Sequence, residues 1–157
     1  MHTKVTSWFV VLLLTAACGA AGGSASEGER GLRVEGRVQQ PEEWTIEELE
    51  NLPLQTAEAA YISKGGEQRH REEGVLLLDL LERSKPDFDP DDKNDGLGHA
   101  ILVRAGDDFE AVVAWGEIDP RFAHKPILVS VKEDGKRLER PRLVVPGDKH
   151  GGRHVRD

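Results

Sequence analysis

The sequence RLVVPGDKHGGRHVRD (residues 142–157) joins a short apolar run to a Pro-Gly-Asp turn and a glycine-rich, cationic segment. The apolar run predicts a strand that ends at the turn. A cationic loop directly after a strand is a candidate anion site. The alternative is a hydrated, disordered terminus, which is the usual state of a polar tail. The residues of this stretch leave both interpretations open.

The composition of the whole chain narrows the classes of protein to which it can belong. The 157 residues carry 29 Asp and Glu against 21 Lys and Arg, a net charge of −8. Such a surface repels nucleic acid, and we find no nucleic-acid-binding motif. The length suits one domain with its own core. The single cysteine excludes a disulfide framework and a cysteine-based zinc site.

The first residues, MHTKVTSWFVVLLLTAACGAAGG, predict a secretory signal peptide over residues 1–18. Lys4 precedes an apolar run at 8–14 that is too short to cross a bilayer as a helix. No twin arginine is present, which indicates a Sec-type signal and export to the periplasm. Any buried cofactor would then have to be acquired after export.

Cys18 lies in LTAAC, which resembles the lipobox of bacterial lipoproteins. In one interpretation Cys18 is lipidated, and residues 19–31 form a flexible tether to the membrane. In the other, cleavage near Ala20 or Ala21 removes Cys18 with the signal. The membrane is expected as a partner only through this lipid anchor.

The first half of the remaining chain predicts alternating strands and helices. Residues 32–38 alternate apolar and polar side chains as a half-buried strand does. Thr45 and Glu48 have capping-box spacing, which predicts a helix over 46–51. Residues 54–63 follow as a strand that Gly65 and Gly66 end. Leucines at helical spacing then predict a helix over 77–84.

The second half is richer in strands. Residues 99–105, 109–115 and 126–133 are three β-like runs, with a turn at 106–108 and one helical turn near 116–118. The sum is an α+β domain over residues 32–157. We expect a mixed, curved β-sheet that packs over short helices.

The order and spacing of four segments resemble the molybdopterin-binding domain of the sulfite oxidase family. These segments are residues 32–53, 74–82, 103–120 and 141–157, of which RLVVPGDK is the most specific. The resemblance covers nearly all of the chain after the signal. It implies the sulfite-oxidase-type fold, an α+β domain built around curved sheets.

The resemblance also implies a role for the C-terminal loop, which in the family helps to bind the phosphate of the pterin cofactor. Glycines would allow close backbone approach, and basic side chains would donate charge-assisted hydrogen bonds. The candidate binding residues are Gly147, Lys149, His150, Gly151, Gly152 and Arg153, with His154 as an alternative to His150.

The sequence departs from the family at the metal ligand. Family enzymes hold molybdenum through the pterin dithiolene and one cysteine thiolate, a soft anionic ligand. The corresponding stretch here, residues 57–73, contains no cysteine, and Tyr61 and Ser63 would supply only hard oxygen. No catalytic residue, bound metal or resident cofactor is therefore expected, although the resemblance implies molybdopterin.

Two functions follow from this departure. The favoured one is a non-catalytic module that binds a small anionic ligand or a periplasmic protein partner. The alternative is a periplasmic molybdopterin-dependent oxidoreductase that uses an unusual ligand or acts as part of a complex. Molybdenum content would distinguish the two.

Five aspartates lie within residues 87–95, a density that is typical of calcium-binding loops. An EF-hand register would place Lys93 at a ligand position and Leu102 where the bidentate glutamate belongs. A solvated acidic loop is the favoured interpretation.

Overall fold

The structure, a computed structural model, describes residues 8–13 and 31–155. In chain order the strands are β1 (Trp8–Leu13), β2 (Leu32–Gly36), β3 (Glu42–Trp44), β4 (Gln55–Ser63), β5 (Gly66–Leu76), β6 (His99–Arg104), β7 (Glu110–Ala114), β8 (Leu128–Glu133) and β9 (Lys136–Val144). The α-helices are α1 (Ile46–Glu50), α2 (Leu77–Arg83) and α3 (Trp115–Ile118).

These strands form two sheets, where the sequence analysis expected one. The first sheet has the order β3-β2-β1-β6-β7, and the second has the order β4-β5-β8-β9. β1 runs parallel to β6, whereas the other neighbours are antiparallel. The predicted α+β class is confirmed, since strands dominate and the helices are short.

The predicted helices α1 and α2 form, and each shows the contacts that its residue spacing predicts. The Thr45 hydroxyl accepts the Glu48 N–H at 3.1 Å, and the Glu48 carboxylate accepts the Thr45 N–H at 2.8 Å. These reciprocal bonds are the capping box that starts α1. In α2, Leu77, Leu80 and Leu81 share one face and are fully buried.

The hydrophobic core joins the two sheets. One cluster of buried apolar side chains includes Val34 of β2, Ile101 of β6, Val75 of β5 and Val129 of β8. Each of these four side chains is fully buried. Since members of both sheets touch the same cluster, the sheets pack together as one folded unit.

The N-terminal apolar run takes a form that the sequence analysis did not expect. Trp8–Leu13, predicted as the apolar part of a signal peptide, is a strand of the first sheet. Cys18, residues 1–7 and residues 14–30 lie outside the described residues. Among the residues described, no helix has the length and apolarity to span a bilayer.

The aspartate-rich loop is held together by its own side chains. Asp89 accepts the Asp91 N–H at 2.9 Å, and Asp92 accepts the Asn94 N–H at 3.2 Å. Asp95 accepts the Asp89 N–H at 2.9 Å. These carboxylates therefore shape turns within the loop.

Candidate functional site

A cleft of about 980 Å³ opens between the β4–β5 hairpin and the C-terminal residues 150–154. Its walls come from hairpin residues between 61 and 70, with Asp107, Phe109 and Glu133 beside them. A cleft of this size accommodates a cofactor-sized organic molecule. It is the candidate functional site.

The C-terminal segment that closes one side is folded onto the domain. The Ile62 N–H donates to the Lys149 carbonyl at 2.9 Å, and the Leu143 N–H donates to the Val155 carbonyl at 3.1 Å. Val155 is fully buried. The alternative of a disordered terminus is therefore wrong as far as residue 155, whereas the anion site stays a prediction.

Arg153 anchors the segment through carboxylates of the protein itself. Its guanidinium binds Asp148 in a bidentate manner, with both N–O distances at 2.7 Å, and Nη1 lies 3.1 and 3.2 Å from the Glu117 oxygens. The hydrogen bond from Arg153 lowers the pKa of Asp148. Partial burial opposes ionisation of Glu117, but hydrogen bonds from Lys125 and Arg153 outweigh it and lower its pKa.

The six residues proposed for anion binding are only partly brought together. His150, Gly151 and Gly152 line the cleft. Gly147 forms the preceding turn at φ +86°, a conformation that glycine adopts without strain. Lys149 is exposed beside the cleft, and Arg153 is engaged by Asp148 and Glu117. The cationic character of the loop thus serves in part to fasten the chain.

Aromatic rings form the inner wall of the cleft, whereas the sequence named His154 only as an alternative to His150 and Tyr61 only as a source of hard oxygen. The Tyr61 and His154 ring centroids are 4.3 Å apart, with 52° between the planes. The His70 and Tyr61 ring centroids are 6.3 Å apart. Tyr61 and His154 are buried, whereas Phe109 is exposed at the rim. These rings offer stacking surfaces to a flat ligand.

One imidazole in the cleft is oriented by a carboxylate. His70 Nδ1 lies 3.0 Å from Asp134 Oδ2, and Asp134 Oδ1 accepts the Arg71 N–H at 2.9 Å. The bond from Arg71 and the proximity of His70 lower the pKa of Asp134. Because Asp134 engages Nδ1, a ligand in the cleft would meet the Nε2 atom of His70.

The charges along the cleft are mixed. Lys64 and the imidazoles of His70, His150 and His154 line the same cleft as the carboxylates of Asp107 and Glu133, and Glu133 Oε2 lies 3.9 Å from His70 Nδ1. A bound anionic group would take its charge-assisted hydrogen bonds from the lysine and the imidazoles of this lining.

Glu133 also belongs to an ionic cluster at the edge of the cleft, which is formed with Glu72, Ser130 and Arg142. The Ser130 hydroxyl donates to Glu72 at 2.7 Å, Arg142 Nη1 is 3.6 Å from Glu72, and Arg142 also pairs closely with Glu133. Burial raises the pKa of Glu72, although the hydrogen bond from Ser130 and the charge of Arg142 oppose the rise. This cluster fixes the strand on which Glu133 enters the cleft.

The donors in the cleft do not fit a thiolate-ligated molybdenum. The part of the chain that the structure describes contains no cysteine, and Cys18 lies outside it. The Ser63 hydroxyl already accepts the Gly65 N–H at 3.1 Å and donates to the Gly66 carbonyl at 3.2 Å. Over residues 8–13 and 31–155, no group of three His, Cys, Asp or Glu residues converges as metal ligands.

The hairpin carried a signal that Tyr61 and His70 lie on one face, which the sequence analysis did not use. The Gly65-Gly66 turn was predicted, and pairing outward from it brings Tyr61 opposite Gln68 and Ala59 opposite His70. Alternate pairs share one face of an antiparallel ladder, so these side chains lie together. The position of His154 on this face depends on the long-range docking of the C-terminus, which local patterns do not show.

Comparison with known proteins adds no identification. No protein-family model matches the chain, and no curated protein matches its sequence.

Proposed function

We propose that the protein is an exported, non-catalytic binding module whose cleft holds a small organic anion with a flat ring. The observation that carries this proposal is the cleft of about 980 Å³, in which the tilted rings of Tyr61 and His154 adjoin Lys64 and the imidazoles of His70 and His150. The rings favour a planar ligand, and the basic groups favour a carboxylate or phosphate on it.

The resemblance to the sulfite oxidase family supports the same proposal. The stretch that corresponds to the cysteine-bearing segment of the family, residues 57–73, forms the β4–β5 hairpin. The loop that would bind the pterin phosphate packs against that hairpin through Ile62 and Lys149. The two segments thus meet at one cleft, which supports a pterin-like ligand for it. The cleft lacks the soft ligand for redox chemistry, which favours binding over catalysis.

The proposal includes the location of the module. The leader-like N-terminus favours a periplasmic protein, and lipidation of Cys18 would attach it to the membrane. A small anionic ligand is the partner that the cleft favours.

Binding of pterin-6-carboxylate, a fluorescent flat ring with one anionic group, tests the proposal directly. We expect the protein to quench its fluorescence on titration. Uncharged pterin should bind about ten- to hundredfold more weakly, because a charge-assisted hydrogen bond contributes about 1.5–3 kcal/mol. Inorganic phosphate without the ring should compete weakly.

Gly151→Ala and Gly98→Ala provide a matched pair of variants for this titration. A Cβ atom at Gly151 would lie 2.6 Å from a Tyr61 ring carbon, whereas one at Gly98, which is outside the cleft lining, meets nothing within 4 Å. Gly151→Ala should therefore displace the Tyr61 ring and weaken binding at least about tenfold, a loss of about 1.4 kcal/mol. Gly98→Ala should bind as the wild type does. Equal affinities in both variants, or no binding by the wild type, would refute the assignment of the cleft.

A further inference from the structure

The proton of the His70 imidazole is assigned to one ring nitrogen by its neighbour. His70 Nδ1 lies 3.0 Å from Asp134 Oδ2, and the Arg71 N–H donates to Asp134 Oδ1 at 2.9 Å. The hydrogen bond from Arg71, followed by that from His70, holds the pKa of Asp134 below its usual range. Because an ionised carboxylate only accepts hydrogen bonds, Nδ1 carries a proton whether His70 is neutral or charged.

This assignment decides what His70 offers to a ligand in the cleft. A neutral imidazole with its proton on Nδ1 has a lone pair on Nε2 and is an acceptor there. His70 lines the cleft with 22% of its side chain exposed, so Nε2 is the ring nitrogen left for a ligand. An anionic oxygen would meet that lone pair unfavourably. A second proton on the ring turns Nε2 into a charge-assisted donor to the same oxygen.

The charged groups around His70 leave the ring able to carry this second proton. Two carboxylates face Nδ1, that of Asp134 at 3.0 Å and that of Glu133 at 3.9 Å. Arg142 approaches from β9, but its guanidinium pairs with Glu133 and lies 3.6 Å from Glu72. The other titratable groups that line the cleft or act on Asp134 are Tyr61, Lys64, Asp107, Lys136, His150 and His154.

We propose that binding of an anionic ligand in this cleft is coupled to the uptake of one proton at His70 Nε2, so that acid favours loading and a rise in pH favours release. This inference rests on the proposed function, because it assigns the regulation of the same site. The proton comes from the solvent, and no bond of the ligand breaks. One coupled proton changes the affinity by at most about tenfold per pH unit.

The affinity for pterin-6-carboxylate at two pH values is the measurement, since a carboxylate stays ionised from about pH 5.5 to about pH 7.5. We expect the wild-type affinity to rise at least about fivefold between pH 7.5 and pH 5.5, with proton uptake visible by calorimetry in two buffers. His70→Asn keeps an N–H toward Asp134 but has no atom at Nε2, and it should lose most of the rise. His124→Asn is the matched control, because His124 is exposed and lies outside the cleft lining.

Asp134→Asn separates proton coupling from a merely structural role of this pair. Residue 134 has φ +52°, a conformation that asparagine adopts readily, so the turn is kept. The amide oxygen can still accept the Arg71 N–H, and the amide N–H then donates to His70 Nδ1 and moves the imidazole proton to Nε2. Neutral His70 becomes a donor in the cleft. We therefore expect this variant to bind more tightly than the wild type at pH 7.5 and to gain little affinity in acid.

The possible failures of this proposal and of the proposed function are distinct. A wild-type affinity that is equal at both pH values, or lower in acid, would overturn the proton coupling and leave the cleft assignment intact. The same would follow if His70→Asn kept the full rise, or if Asp134→Asn bound more weakly than the wild type at both pH values. No binding of the probe by the wild type at either pH would refute the proposed function, and this inference with it.

Discussion

Replacement of Gly74 by alanine is expected to lower the free energy of unfolding by about 3 kcal/mol. A Cβ atom at this position would lie 2.2 Å from the Val129 carbonyl oxygen and 2.5 Å from the Ser130 Cα. Both are backbone atoms of β8, the neighbouring strand, and they cannot rotate away. The two sheet strands would have to separate, at the point where their register already shifts between Glu73 and Gly74.

Urea denaturation measures this loss, and Gly98→Ala is the control. A Cβ at Gly98 meets nothing within 4 Å. Both changes restrict the unfolded chain equally, which by itself stabilises by about 0.4–1 kcal/mol. The difference between the variants therefore reports the steric conflict. Indistinguishable midpoints would show that β5 and β8 do not approach as closely as described.

Arg142→Met should have the second large effect, a loss of about 3–5 kcal/mol at neutral pH, because it leaves a buried carboxylate without its cation. Arg142 lies between Glu72, which is 1% exposed, and Glu133. Arg137→Met is the matched control on the same strand. Arg137 pairs with Glu50 at 2.9 Å, but its side chain is 52% exposed, so that pair contributes at most about 1 kcal/mol.

The effect of Arg142→Met should depend on pH in a defined direction. The pKa of Glu72 is raised in the folded state, mainly by burial. The folded protein therefore binds this proton more readily than the unfolded chain, and stability falls as pH rises between the ordinary and the folded pKa. Removal of Arg142 raises the pKa of Glu72 in the folded state further. The pH range over which stability falls therefore extends to higher pH.

Denaturation at two pH values checks that direction. The deficit of Arg142→Met should be smaller at about pH 5, where Glu72 is more protonated, than at about pH 7. A deficit that is the same at both pH values, or larger in acid, would contradict the placement of Glu72 beside Arg142. The Arg137→Met control should show no such trend.

Local sequence patterns were sufficient to predict the elements that short-range interactions determine. The Thr45–Glu48 capping box and the leucine spacing of 77–81 predicted α1 and α2 nearly to the residue. They were not sufficient for β5, whose residues 67–73 are almost all charged or polar. That segment is a strand because it pairs with β4 and β8, and its one buried acid, Glu72, is balanced by residues about sixty or more positions away.

In the candidate site, too, the sequence predicted what local patterns show and missed what long-range contacts determine. The sequence located its C-terminal wall at His150, Gly151 and Gly152, since glycine and charge are visible locally. It assigned Arg153 to a ligand, whereas the structure pairs that guanidinium with Asp148 and with Glu117, which lies on α3. A partner 36 positions away leaves no local trace. The apolar run of Trp8–Leu13 likewise has the composition of a leader and of a strand, and its pairing with β2 and β6 leaves no local trace in the sequence.

The claim on which the proposed function depends is that the cleft supplies no sulfur ligand to a redox metal. The most direct test is the molybdenum content of the protein purified from its native host after growth with molybdate. We expect no stoichiometric molybdenum and no visible absorption from such a centre. One molybdenum atom per chain, retained through purification and active in oxygen-atom transfer, would contradict the non-catalytic assignment.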